Sequence, residues 1–339
     1  MRLPGLVIDS YSVELEDEAG FAGDKATKGA FTEILDELRR AVRTGEDPLG
    51  DKPTREISRK RLDAIITKGD PHEAAIVHGA IENFAQQLKA VIKRFLKLKS
   101  WQDTQRIVVG GGFRDSRIGE LAIARTNILL QVEEASVEIE LLEGDPDEAA
   151  LIGTAHLLQA WMLQGHDAML AADIGGTNIR AGIVELNINK AADLSKAKVL
   201  DFERWTHAEQ TDLSREKVIE RLSEMLQGLA KSAAKRELRL VPVIGVGCPG
   251  LIHHDGTIKA GTQNLPGNWE SKTFRLPQEI RSRVTRIGDH EPTVILHNDA
   301  VMQGLSQLPR MRDYPHWGVF TIGTGLGNAR FTMCDDSDD

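Results

Sequence analysis

Two carboxylates and a set of glycine loops are the residues in this sequence that could do chemistry. Asp173 lies in LAADIGGTNIRAG, residues 170–182, where an apolar run meets an acid and then Gly175, Gly176 and Thr177. Asp299 closes a second apolar run, TVILHNDA, directly after Asn298. Gly323, Thr324 and Gly325 follow a third run in WGVFTIGTGLG, and Gly110, Gly111 and Gly112 follow a fourth in RIVVGGG. Glycine lets a backbone approach a phosphate, and its freedom at positive φ lets successive N–H groups converge on one anion. An acid beside such a loop would repel the phosphate unless a cation lay between them. Mg2+ suits that position, because it takes one or two carboxylates plus phosphate oxygens and keeps several waters. A second carboxylate could accept the proton of an attacking hydroxyl. Together these parts match phosphoryl transfer, which needs positioning and electrostatics above all.

Each motif also has a plainer reading. Asp-x-Gly-Gly makes a β-hairpin turn, and Asp299 could cap the helix of AVMQGLSQL. The triple glycine could be a strand-to-helix turn. It is not a dinucleotide fingerprint, since position 115 is Asp where a third spaced glycine would stand. What separates the readings is the combination: four such loops at the carboxyl ends of apolar strands, where open α/β sheets bind ligands.

The elements that must hold these loops are readable in outline. GDPHEAAIVHGAIENFAQQLKAVIKRFLKL predicts a long helix to about residue 98, with Asp70 as N-cap, Pro71 in the first position and Glu73 completing a capping box. GDPDEAALIGTAHLLQAWML repeats that start and predicts another helix. LVIDSYSVELE alternates as a strand or hairpin arm, and KATKGAFTEILDELRRAV has helical periodicity. Residues 45–57 and the basic TREISRKRL read as loop. Strands alternate with long helices throughout, so the class is α/β.

The totals set bounds. The 339 residues carry a net charge of −9, so any polyanionic ligand must be held by local donors, and nucleic acid is not the expected partner. Cys248 and Cys334 make neither a disulfide framework nor a cysteine-rich zinc site, and a reducing cytoplasm is the expected location. No run of about 18 apolar residues is present, so no membrane span is expected. The basic stretch LKAVIKRFLKLKS, residues 88–100, reads as the solvated face of its helix.

DIGGTNIRAG, GVGCPGLIHHDGTI, NLPGNW, HNDA, TIGTGLG and IVVGGG together resemble the signature segments of the ROK family of repressors and sugar kinases. That family belongs to the sugar kinase, heat-shock protein and actin superfamily. The resemblance implies two ribonuclease H-like lobes with a nucleotide cleft between them. It implies an ATP-dependent, Mg2+-assisted kinase acting on a hydroxyl of a hexose or related sugar. By the same resemblance Asp173 would position Mg2+. Gly175, Gly176 and Thr177 would face the phosphates, with Gly323, Thr324 and Gly325 opposite. Gly111 and Gly112 would lie against adenosine. Asn264 and Asn298 would bind sugar hydroxyls, and Asp299 would be the general base. The family's order is reversed here: the half that normally comes late comes first. The sequence therefore resembles a circular permutation, although a truncated tandem fusion would read similarly. The implied division is 1–146 plus 317–339 for the adenosine lobe and 147–316 for the lobe with the first phosphate loop, sugar contacts and base. The family's Gly-Glu-x-Gly-His segment and zinc loop have no counterpart, so no zinc is expected, and a non-catalytic sugar- or nucleotide-binding protein or a regulator is the alternative. A homodimer is compatible with the resemblance.

Overall fold

The computed structural model describes residues 1–17, 20–42 and 46–334. The chain opens with a hairpin of β1 (Arg2–Leu3) and β2 (Leu6–Tyr11), followed by the short antiparallel pair β3 (Glu16–Asp17) and β4 (Gly20–Phe21). Then come α1 (Lys28–Val42), α2 (Arg59–Lys68), α3 (Pro71–Phe95), β5 (Arg106–Gly110), α4 (Arg117–Val132) and β6 (Glu138–Leu141). The middle of the chain holds α5 (Pro146–Gly153), α6 (Ala160–Leu163), β7 (Ala168–Ile174), β8 (Ile179–Glu185), β9 (Lys198–Trp205) and α7 (Arg215–Lys235). It ends with β10 (Leu240–Cys248), α8 (Leu276–Arg283), β11 (Thr293–Asn298), α9 (Asp299–Leu305), β12 (His316–Ile322) and β13 (Leu326–Met333). Among the described residues no helix is long and apolar enough to cross a membrane.

Two larger sheets organise these elements, one of order β11-β10-β7-β8-β9 and one of order β1-β2-β13-β12-β5-β6. In the first, β7 pairs antiparallel with β8 and parallel with β10, and β10 pairs parallel with β11. In the second, β12, β5 and β6 run parallel. The fold is therefore mixed α/β, as the alternation of strand and helix patterns predicts.

The chain divides into two compact units. One comprises residues 1–12 and 143–315 with the chain from Phe331, and the other comprises 13–142 and 316–330. Residues 1–12 thus group with 143–315. Tyr11 and Ser12 are the reason: the Tyr11 hydroxyl donates to Ile252 C=O at 3.0 Å, and the Ser12 hydroxyl accepts from Asn298.

In the first unit β7 is buried along all seven residues. Leu170, Ala172 and Ile174 pack with Val218, Leu222 and Leu226 of α7, while Met169 and Ala171 pack with Leu151 and Ala155 on the other face. Burial on both faces explains why AMLAADI reads as an unbroken apolar run. In the second unit Val77, Phe84, Leu88 and Ile92 of α3 share one core with Ile107 and Val109 of β5 and Phe320 and Ile322 of β12. Phe31, Phe84 and Phe113 form a ring cluster with centroids 4.8–5.9 Å apart.

Local sequence explains most helix boundaries. Asp70 accepts from His72 N–H at 2.8 Å, and Asp70 N–H donates to Glu73, so the α3 capping box is formed. Asp70→Ala is expected to lower stability by about 1 kcal/mol, read as a shift of the urea unfolding midpoint with an unchanged slope. Two expectations need correction. TREISRKRL holds the start of α2, where Ser58 caps the helix by accepting from Arg61 N–H, and Leu62 and Ile65 supply a buried stripe. GDPDEAALIGTAHLLQAWML is broken into α5, a tight turn over Thr154–Leu157 and α6.

Candidate active site

Asp173 is the penultimate residue of β7, and Asp299 begins α9 directly after β11. Between them runs β10. Its Gly247 is in register with Asp173 on one side and His297 on the other, and Cys248 is in register with Asn298. A methyl group on Gly247 would meet Asp173 Oδ1 at 3.2 Å and the Asp299 Cα at 3.6 Å. The missing side chain thus lets two carboxylates share one space at the carboxyl ends of three parallel strands.

The electrostatics follow from that crowding. Burial raises the carboxyl pKa of Asp173, and the Arg180 guanidinium opposes the rise. Arg180 Nη1 donates to Asp173 Oδ2 at 3.0 Å, while Oδ1 is buried and has no hydrogen-bond partner. The Asp299 carboxyl is pushed up to about 7, chiefly by burial and next by the negative charge of Asp173. Burial, helped by both acids, also raises the Cys248 thiol, so it is held neutral. Burial pushes His297 down to about 4, which keeps this ring neutral too.

The first glycine loop is a tight hairpin. Gly175 N–H donates to Asn178 C=O at 2.9 Å, His207 Nε2 lies 2.8 Å from Gly175 C=O, and the Thr206 hydroxyl donates to Asn178 at 2.9 Å. Gly175 and Gly176 do not take positive φ, and the Gly175 amide is spent on the turn. The glycine at 176 answers to packing: a Cβ there would meet the Asn264 Cβ at 2.9 Å. Thr177 and Asn264 are exposed. Trp269 anchors the NLPGNW segment, fully buried with its indole N–H donating to Pro266 C=O at 2.8 Å. The structure therefore brings Asp173, the 175–177 turn, Asn264, Asn298 and Asp299 into one unit.

Asn298 has a different character from the one expected. Its Oδ1 accepts from Ala300 and Val301 N–H at 3.0 and 3.2 Å, capping α9. Its Nδ2 donates to Ser12 Oγ at 3.0 Å and Gly250 C=O at 3.1 Å. All four hydrogen-bonding positions of the amide are engaged within the protein. The plain cap reading offered for Asp299 thus belongs to its neighbour. Asp299 Oδ1 accepts from Ala300 N–H at 2.9 Å, and the residue keeps a solvent-facing edge.

The remaining candidates lie together in the other unit. Gly111 has φ +81, and a Cβ there would strike the Ile322 backbone at 2.6 Å, so only glycine suits the position. A Cβ on Gly112 would meet Lys28 Nζ at 2.7 Å. Lys28 N–H donates to Gly323 C=O at 3.0 Å, and Gly323 N–H donates to Gly325 C=O at 2.9 Å. Thr324 and Gly325 are exposed. The triple glycine, the second glycine loop and the start of α1 are thereby brought together. Beside them is a cavity of about 210 Å³ whose walls include Phe31, Leu35 and Phe113, with Lys28, Arg55 and Arg59 among its polar lining.

Residue patterns had given Arg180 no role. The signal was present in its spacing: it stands opposite Asp173 across the hairpin, as the antiparallel register requires. Among the described residues no cluster of three or more His, Cys, Asp or Glu side chains could hold a metal ion. The orphaned Asp173 Oδ1 fits a different donor set, that of a hard cation taking one or two carboxylates and otherwise phosphate and water.

No family model matches the chain, and no curated protein matches it. Solved structures do. A ROK family glucokinase from Streptomyces griseus, crystallised with glucose and AMPPNP, is similar at 19% identity over 49% of this chain and 45% of that one, with a TM-score of 0.33. A ROK hexokinase from Thermus thermophilus is similar at 22% identity over 39% and 35%, with a TM-score of 0.27. A Ppx/GppA phosphatase from Aquifex aeolicus is similar at 13% identity over 75% and 80%, with a TM-score of 0.28. The chain thus spans less than half the length of either of these two kinases.

Proposed function

We propose that this protein is an ATP-dependent sugar kinase of the ROK type, transferring a phosphoryl group to a hydroxyl of a hexose or related sugar. The observation that carries the reading is the pairing of Asp173 and Asp299 at the ends of the two strands that flank β10, across the bare Cα of Gly247. The two acids differ as the reaction requires. Asp173 is buried and tied to an arginine, whereas Asp299 has an open edge and a pKa near neutrality.

In this reading Asp299 accepts the proton of the sugar hydroxyl as its oxygen bonds to the γ-phosphorus of ATP. The bond from that phosphorus to the β,γ-bridging oxygen breaks, and ADP leaves with the electron pair. Mg2+ held at Asp173 Oδ1 would neutralise charge on the transferring group. Gly175, Gly176 and Thr177 are assigned to the phosphates, and so are Gly323, Thr324 and Gly325. The cavity beside Gly112 takes the adenosine, with apolar walls for the base and Lys28 and Arg59 for the phosphates. Asn264 is assigned to the sugar. Asn298 serves the sugar site indirectly, by fixing the start of α9 and so the direction of Asp299. The repeated parallel triplets, β7-β10-β11 and β12-β5-β6, support two ribonuclease H-like lobes joined in permuted order, with a division close to 146/147 and 316/317.

The test is direct. With ATP, Mg2+ and a panel of hexoses, hexosamines and their N-acetyl derivatives, at least one sugar is expected to elicit ADP release. No ADP from any sugar, together with no stabilisation by ATP in a thermal melt, rules the kinase out. A non-catalytic binding protein is the second reading. It is favoured by the full internal engagement of Asn298, and it predicts stabilisation by sugar and nucleotide without ADP release.

A further inference from the structure

A line of alternating charges runs from the surface to Asp173. Side-chain exposure falls along it from 53% at Arg204 to 27% at Asp147, 14% at Arg180 and 6% at Asp173. Three of these residues occupy one row of the sheet. Asp173 of β7 is in register with Arg180 of β8, and Arg180 is in register with Arg204 of β9. Two arginines directly opposite each other should repel. Asp147, in the first turn of α5, resolves the conflict. Its Oδ1 accepts from Arg180 Nε at 2.9 Å and Nη2 at 2.6 Å, and its Oδ2 accepts from Arg204 Nη1 at 2.9 Å.

This leaves the Arg180 fork fixed on both sides. Two nitrogens grip Asp147, and the third bonds Asp173 Oδ2. Oδ2 is thereby occupied, and the orphaned Oδ1 is the face that remains. A lysine could neutralise Asp173 but could not make the same two-sided grip. A buried aspartate needs only a counter-charge to be stable. Asp147 offsets the repulsion between the two arginines without neutralising Asp173, and its two-bond grip also fixes the direction of Arg180.

We propose that Asp147 and Arg180 are positioning residues, which hold Asp173 so that its Oδ1 alone is presented to a divalent cation bound with nucleotide phosphate. The inference rests on the kinase reading for its ligand but is tested separately from turnover. Mn2+ is titrated into the full-length protein with ATP and without sugar, and protein-bound Mn2+ is followed by water-proton relaxation. Asp147→Ala is expected to raise the half-saturating Mn2+ concentration about tenfold, as losses of outer-shell ligand supports do. Asp147→Asn keeps an oxygen for Arg180 and is expected to fall between the wild type and Asp147→Ala. A purely structural role predicts a lower melting temperature with unchanged Mn2+ binding, and that result overturns the inference, as does a wild type that binds no Mn2+. If Asp147→Ala does not fold, Asp147→Asn decides, and wild-type Mn2+ binding in that variant overturns the inference. A shift in Mn2+ binding without sugar-dependent ADP release by the wild type would uphold the positioning role and favour the non-catalytic reading over the kinase. Unshifted binding beside normal ADP release would do the reverse.

Discussion

Asp299→Asn is expected to lose turnover and gain stability at once. The substitution keeps size and shape, and the Asn298 cap of α9 stays in place. What goes is the proton acceptor, so kcat should fall about a thousandfold, while stabilisation by ATP and sugar persists in a thermal melt. The wild-type pH profile should carry the same signature. The base works when ionised, and its carboxyl is raised to about 7, so activity should drop as pH falls through 7 and level off above it.

Stability moves the other way. The folded-state pKa of Asp299 lies above the ordinary aspartate value of about 4, so the folded protein holds this proton more tightly than the unfolded chain. That contribution is fully present below about pH 4 and lost as pH rises through 7. Asparagine never ionises, so at pH 8 the variant should be the more stable protein, by on the order of 2 kcal/mol after allowing for the solvated edge. The advantage should vanish near pH 4. Urea unfolding of both proteins at the two pH values reads it. A variant less stable than wild type at pH 8 would falsify the buried-acid account of the site.

The largest purely structural effect is expected at Gly153, the last residue of α5. A Cβ there would lie 1.8 Å from the Met302 carbonyl oxygen and 2.7 Å from its carbon. That oxygen already accepts from Ser306 N–H at 3.2 Å, so it cannot swing aside without breaking the end of α9. Gly153→Ala must push two helices apart, and about 3 kcal/mol or more of stability should be lost. Met302 is one turn beyond Asp299, so activity should fall as well. Gly228 in α7 is the control, since a Cβ there meets nothing within 4 Å and Gly228→Ala should not destabilise. A Gly153→Ala urea midpoint equal to that of the wild type would show that α5 and α9 do not pack as closely as described.

Much of this architecture was legible because local rules sufficed. The Asp70 box needs only four consecutive residues, and β7 announces itself by burial on both faces. α2 was missed because its ten residues include four lysines and arginines, and its buried stripe is just Leu62 and Ile65. The need for glycine at 153 was invisible because the backbone it spares, that of Met302, is remote in sequence. The same limit applies at the site. The combination of motifs is enough to suggest one site for Asp173 and Asp299, but the spent amide of Asn298 depends on Ser12, 286 residues away. The tether on Arg180 depends on a helix start that no glycine motif marks. Glycine itself misled in part: at 176 it is needed for close packing and at 111 for its dihedral angle, a distinction letters alone cannot make.

The pairing of β5 with β12 bears on how the polypeptide is made. Gln105 and His316, hydrogen-bonded neighbours at the start of that pairing, are 211 residues apart. During translation β5 can meet β6 almost at once, yet its other edge must wait until all of residues 143–315 and then β12 have left the ribosome. An apolar strand with one open edge is a template for association with other chains. Slow elongation or abundant chaperone should therefore improve the yield of native protein, and ribosome-stalled fragments ending near residue 300 should be aggregation-prone despite containing all of α1, α2, α3 and α4.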